Sequence, residues 1–202
     1  MKLDAFLPSV LPSVPGCPDL LAIDYVRRAA REFAGGTLCW NYTLPVIPAE
    51  AGAADYTLQL PDGQELVRVL LVEVDGEPYE VPYGPIARQR LRRGVGGQCV
   101  MQGAQDFSLS PAPSIDGTEI LTDVAVRPTL ASNYWPDDLS EYQNDIAAGA
   151  IGMLAMLPKQ PWTDDKTAAA QGALFADRKS IVALKIQRAF SNSAQRKRVV
   201  WF

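Results

Sequence analysis

The chain has 202 residues, 48% of them hydrophobic, with a mean hydropathy of −0.03 and a formal net charge of −4. That composition excludes a disordered polymer and leaves room for one large or two small globular domains with a real core. The most apolar stretch, residues 146–157, is far shorter than the ~20 residues that cross a bilayer, and residues 1–6 show no long apolar run behind Lys2, which argues against a secretory signal. Cys17, Cys39 and Cys99 are odd in number and show no C-x-x-C spacing, so neither a disulfide framework nor a zinc site is expected. The expectation is a soluble protein assembled in a reducing compartment.

In chain order, residues 7–16 read as an extended arm, since Pro8, Pro12 and Pro15 lie too close together for a helix. The spacing of Leu20, Ile23, Val26, Ala30 and Phe33 predicts a helix over about 18–34, stopped by Gly35 and Gly36. From Cys39 to Val126 the period shortens, and residues 56–60, 65–74, 98–101, 107–109 and 119–126 read as strands between Gly, Pro and Asp turns. Asp75-Gly76 is the strongest hairpin signal, because it supplies the positive φ angles of a type I′ turn, and a second hairpin is expected around Gly103. A helix from Pro136 to Pro158 follows, its acidic start favoured by the helix dipole. Gly149, Gly152 and the surrounding alanines would admit another helix closely. Thr163 is the expected cap of a third, long helix.

The resulting expectation is an α+β fold. A three-helix core, made of the N-terminal helix and a long C-terminal helical hairpin, carries a small inserted antiparallel β domain and extended N- and C-terminal arms. In residues, 1–17 are the arm, 18–36 and 136–192 the helical core, 37–135 the inserted β domain and 193–202 a C-terminal docking tail.

Chemistry is scarce. The absence of histidine removes the commonest general base and every Ser-His or Cys-His arrangement. Gly94-Val95-Gly96-Gly97 lacks the Lys-Ser/Thr of a phosphate-cradling loop. Asp138, Glu141 and Asp145 could share a helix face and hold a cation, but carboxylates at a helix start are ordinarily solvated and dipole-favoured, as are Asp164 and Asp165. Cys39 beside Trp40 reads as a buried core thiol. Arg88, Arg90, Arg92 and Arg93 could meet phosphate; without interleaved aromatics in an acidic chain they read as a solvated or subunit-contact patch. No enzyme, cofactor or metal is expected.

The strongest signal is at the other end. Residues 178–202 carry seven Lys/Arg and no Asp or Glu; with the chain at −4 and this stretch at +7, the residues before it carry −11. Arg196, Lys197 and Arg198 lead into Val199, Val200, Trp201 and Phe202, whose strand-type and aromatic side chains suit a groove or sheet edge on a partner. A structural assembly protein is therefore expected, ahead of a nucleic-acid-binding module and an enzyme.

The order of these features resembles the head-to-tail adaptor (connector) proteins of tailed bacteriophages. The resemblance rests on the Pro-rich entry and helix up to Phe33 followed by Trp40, on Tyr56-Thr57-Leu58 before Leu60-Pro61, on Leu109-Ser110-Pro111-Ala112-Pro113, on Trp135-Pro136-Asp137-Asp138-Leu139, on Ile146-Ala147-Ala148-Gly149-Ala150, and on Met156-Leu157-Pro158 with Pro161-Trp162. It implies a structural virion protein at the head–tail junction, assembled in the host cytoplasm into a homo-oligomeric ring, typically twelvefold. The portal protein would receive the C-terminal tail and tail or nozzle proteins the other face. Genomic DNA would pass transiently through the lumen without base readout, and no membrane is involved. A neck or tail-completion protein at another level of the same junction is the related alternative.

Overall fold

Leu20, Ile23, Val26, Ala30 and Phe33 recur at helical spacing, and the chain accordingly coils from Asp19 to Thr37 (α2), with Leu20 outside the buried stripe, in the computed structural model, which describes residues 1–81 and 97–195, the side chains of 190–195 excepted. The helix runs through Gly35 and Gly36 and stops at Leu38, whose φ of 59° reverses the chain. Before it lie a 3-10 helix at Leu3–Phe6, the short helix α1 at Leu7–Val10 and a 3-10 turn at Leu11–Ser13.

This corrects the expected extended arm. Pro8 and Pro12 each stand within the first two positions of a short helical segment, where the missing N–H has no helical partner to lose. Leu3, Phe6, Val10 and Val14 are buried as a result.

The strands are β1 (Asn41–Thr43), β2 (Ile47–Pro48), β3 (Asp55–Thr57), β4 (Gln64–Val74), β5 (Glu77–Glu80), β6 (Gly97–Met101), β7 (Asp106–Ser110) and β8 (Glu119–Pro128). They join one eight-stranded sheet in the order β1-β8-β4-β5-β6-β7-β3, with β2 also on β8. The expected fold class is thereby overturned: the body is strand-rich mixed α/β, not a helical core with a small antiparallel insert. Two features carry the correction. Strands β5 and β6 pair parallel, Tyr79 opposite Gly97, and residues 41–48, which lack a long alternating run, are recruited onto β8 through pairs such as Tyr42 with Val124. Local alternation marks a strand but not the strand it will join.

Both hairpins form where expected. Asp75 and Gly76 take φ of 51° and 75° between Val74 and Glu77, and β6 turns into β7 around Gly103, with Met101 opposite Phe107. One face of these strands buries Val72, Val74, Tyr79, Cys99, Phe107, Leu109, Ile120 and Val124.

A 3-10 helix at Asp137–Tyr142 leads into α3 (Gln143–Ala155), and a short turn joins it to α4 (Asp165–Gln195). The cap of α4 is Asp164, not Thr163: its carboxylate accepts from Lys166 N at 3.0 Å and Thr167 Oγ1 at 2.6 Å. Thr163 instead braces the turn, donating to Leu157 O at 2.5 Å and accepting from Gln160 N at 2.9 Å.

Two compact units divide the chain. Met1–Trp40, Gly63–Glu65 and Arg127–Lys185 form the first; over its described residues before Ile186, the second comprises Asn41–Asp62 and Leu66–Val126. The first is centred on Phe33, whose ring lies 5.3 Å from that of Tyr142 and 6.0 Å from that of Phe175, with Trp40 edge-on to the fully buried Trp135 at 5.7 Å.

Glycines test this packing in opposite directions. A Cβ on Gly97 would lie 2.4 Å from the Ser110 carbonyl oxygen and 2.5 Å from Tyr79 Cε1, whereas one on Gly172 would meet nothing within 4 Å. Gly97→Ala should therefore lower stability by about 1–3 kcal/mol, while Gly172→Ala, inside α4, should raise it by about 0.5–1 kcal/mol. Urea midpoints of the two variants would show opposite shifts; equal shifts would contradict this account of the β6–β7 contact.

Candidate functional site

Helix α4 presents two apolar faces. Ala168, Phe175 and Val182 recur every seven residues and are buried, forming an inner seam. The seam sits on α3 because α3 offers glycine there: a Cβ on Gly149 would stand 2.7 Å from Phe175 Cδ2, and one on Gly152 would stand 3.0 Å from Gly172 N. The small residues expected to admit a helix do so.

Charge pairs flank the seam. Arg178 Nε lies 3.7 Å from Asp145 Oδ1, Lys185 Nζ 3.8 Å from Glu141 Oε2, and Lys179 Nζ 2.5 Å from Glu32 Oε1. Glu141 remains the solvated helix-start carboxylate read from the sequence, whereas Asp145 is largely covered, and burial pushes its carboxyl up against the pull of Arg178, with Glu141 adding to the rise. These pairs orient α4 and, being partly exposed, each contribute only about 0–1 kcal/mol.

The second face of α4 has no cover among the described residues. Leu174, Ile181 and Leu184 are 43%, 48% and 51% exposed, and at 100° per residue they share one stripe with Ala170. Asp177 sits in the middle of that stripe and makes no ion pair among the described residues. On α2, Leu20 is 83% exposed, and two turns on Arg28 reaches back 2.8 Å to Asp24 and covers the Tyr25 ring at 4.9 Å.

A denser charged cluster lies in the same unit. Glu65 Oε1 accepts from Arg31 Nη2 at 2.8 Å and from Arg127 Nε, while Arg31 Nη1 also donates to Pro128 O at 2.5 Å. Burial alone would raise the Glu65 carboxyl, but the two guanidinium hydrogen bonds and their charges outweigh it and hold it below the usual glutamate range. Arg27 adds a parallel tie, donating from Nε to Ser132 O at 2.7 Å and from Nη2 to Asn133 Oδ1 at 2.5 Å. The sequence reading missed Arg31, Glu65 and Arg127 because they lie far apart along the chain and each resembles an ordinary surface charge.

The thiols are placed for packing. All three cysteines are free and buried, and burial pushes Cys39 up to about 11 and Cys99 up to about 12, far from the thiolate range that nucleophiles need. Among the described residues no group of three or more Cys, Asp or Glu is placed to hold a metal ion, and no helix is long and apolar enough to cross a membrane. Arg88, Arg90, Arg92 and Arg93, and Arg196, Lys197, Arg198, Val199, Val200, Trp201 and Phe202, lie outside the described residues.

The three cysteines are packing residues, Glu65 is braced by two arginines, and leucine and isoleucine on α4 face solvent, a surface that suits association. The family model described as SU10 adaptor protein matches residues 3–198, and the chain belongs to that family. Membership bears out the resemblance to phage head-to-tail adaptors. The chain is a phage adaptor protein, with the structural, non-enzymatic role that the family implies, a component of the virion that associates with other virion proteins. A search of curated proteins found no match.

The Glu65 cluster has a pH signature. Because its folded pKa is depressed, its stabilising contribution is fully present above the ordinary glutamate range and is lost as pH falls through the folded value. Between about pH 5 and about pH 3 the parent chain should lose more stability than Glu65→Gln, which has nothing to protonate there. Parallel urea-midpoint profiles for the two proteins would show that the two arginines do not stabilise the ionised form.

Proposed function

We propose that the chain is the head-to-tail adaptor subunit of a tailed phage, forming a ring, typically of twelve copies, beneath the portal. Residues 196–202 dock onto the portal, the opposite face receives tail or nozzle proteins, and the genome passes through the lumen. Family membership over residues 3–198 carries this reading.

Charge supports it. In sequence, the second unit before Ile186 (Asn41–Asp62 and Leu66–Val126) holds eleven Asp or Glu against five Arg, namely Arg68 and the cluster Arg88, Arg90, Arg92 and Arg93, and so remains net acidic. A surface of that sign does not retain a polyanion, so DNA could move past it without being held at phosphate contacts. The segment 196–202 has the complementary character, three cations followed by two valines and two aromatic rings.

Each ring buried in a partner groove would contribute about 1.5–3 kcal/mol before ordering costs. One such contact is weak. Many copies held in a ring act together, because after the first contact the others bind at high effective concentration.

Deletion of residues 196–202 should leave the far-ultraviolet circular dichroism and the urea midpoint unchanged but abolish co-sedimentation with the portal ring. Trp201→Ala combined with Phe202→Ala should reproduce most of that loss. Normal co-sedimentation by the deletion variant would refute docking through this segment.

A further inference from the structure

The outer stripe of α4 carries a carboxylate and the outer face of α2 a cation, each at a similar distance from an exposed leucine. On α4, Leu174, Ile181 and Leu184 surround Asp177, a carboxylate without an ion pair among the described residues. On α2, Leu20 is the most exposed large hydrophobic residue among the described residues, and Arg28, with a side chain 55% exposed, stands two turns further along the same face.

The stripe is a poor match for itself. Ala170 and Leu184 lie seven residues to either side of Asp177, so two copies packed antiparallel about a two-fold through the centre of the stripe would bring the two Asp177 carboxylates together. A desolvated like-charge pair opposes that contact. A heterologous partner surface must instead bring a cation to Asp177 and an apolar side chain to Leu184.

The outer face of α2 brings both at matching intervals. At 1.5 Å rise per residue, Leu20 and Arg28 are about 12 Å apart along α2, and Leu184 and Asp177 about 10.5 Å apart along α4. Laid antiparallel, Leu20 covers Leu184 while Arg28 reaches Asp177, and Asp24, which lies between Leu20 and Arg28 on the same face, stands opposite Ile181 with its charge held by Arg27 and Arg28. Arg28 can serve this contact and keep Asp24, since a guanidinium has five N–H donors.

We propose that the outer stripe of α4, Leu174, Asp177, Ile181 and Leu184, docks on Leu20, Asp24 and Arg28 of α2 in a second copy of this chain. The contact is head-to-tail, so each copy uses both faces and the series continues until a rotation closes it. The inference rests on the ring reading above and names the seam of that ring.

Charge reversal tests it on the full chain, by mass from light scattering across concentration, alone and with the portal ring. Asp177→Arg and Arg28→Glu should each raise the concentration for half-assembly about tenfold or more, with circular dichroism unchanged. Because every subunit carries both faces, the double variant Asp177→Arg with Arg28→Glu should recover assembly to within a few-fold of the parent. Leu184→Glu should lose assembly with no such recovery. If the parent assembles and the single reversals assemble equally well, or the double variant is as defective as either single, the seam lies elsewhere while the ring reading stands. A parent chain that forms no ring under either condition overturns both.

Discussion

Everything in the first unit depends on how closely α4 can approach α3. The absence of a side chain at Gly149 lets the Phe175 ring lie against the α3 backbone, and Gly152 lets the backbone of Gly172 come within van der Waals contact. That approach carries Phe175 to Phe33 and completes the aromatic cluster with Tyr142. Interiors pack at crystal-like density, so a methyl group at either glycine has no free volume to enter. The ion pairs along the helices then select orientation more than they add stability, since most of their atoms remain in reach of water.

The same geometry decides what α4 leaves outside. Once Ala168, Phe175 and Val182 are committed to α3 and its neighbours, Leu174, Ile181 and Leu184 must face away. A free soluble helix would ordinarily place polar residues there. An apolar outward stripe interrupted by one carboxylate with no ion pair among the described residues suits a protein that associates with other virion proteins, as adaptor membership implies.

Much of the fold was legible. The helix of Leu20 to Phe33, the Asp75-Gly76 hairpin and the small residues of α3 follow from period, turn chemistry and side-chain size, which act over a few residues. The sheet was not legible as a whole. Joining β5 to β6 in parallel and β1 and β2 to β8 depends on pairings that no local pattern encodes, which is why a strand-rich body was underestimated. The prolines misled for a related reason: they rule out helix interiors, and residues 7–13 form only short helical segments with proline near each start. The Arg31–Glu65–Arg127 cluster was invisible because nothing in a lone glutamate says that two arginines will converge on it.

By itself the sequence determined the character of the protein: the lack of histidine, the acidic body with a basic, aromatic-bearing segment, and an order of motifs that marks a phage adaptor. Those are properties of composition and spacing, and they survive without a fold. Only the tertiary structure decided which apolar residues of α4 are core and which are surface, since Leu174 and Phe175 are neighbours in the chain and equally hydrophobic by inspection. The choice between them follows from which side of the helix meets glycine, a fact about α3 that the sequence of α4 does not contain.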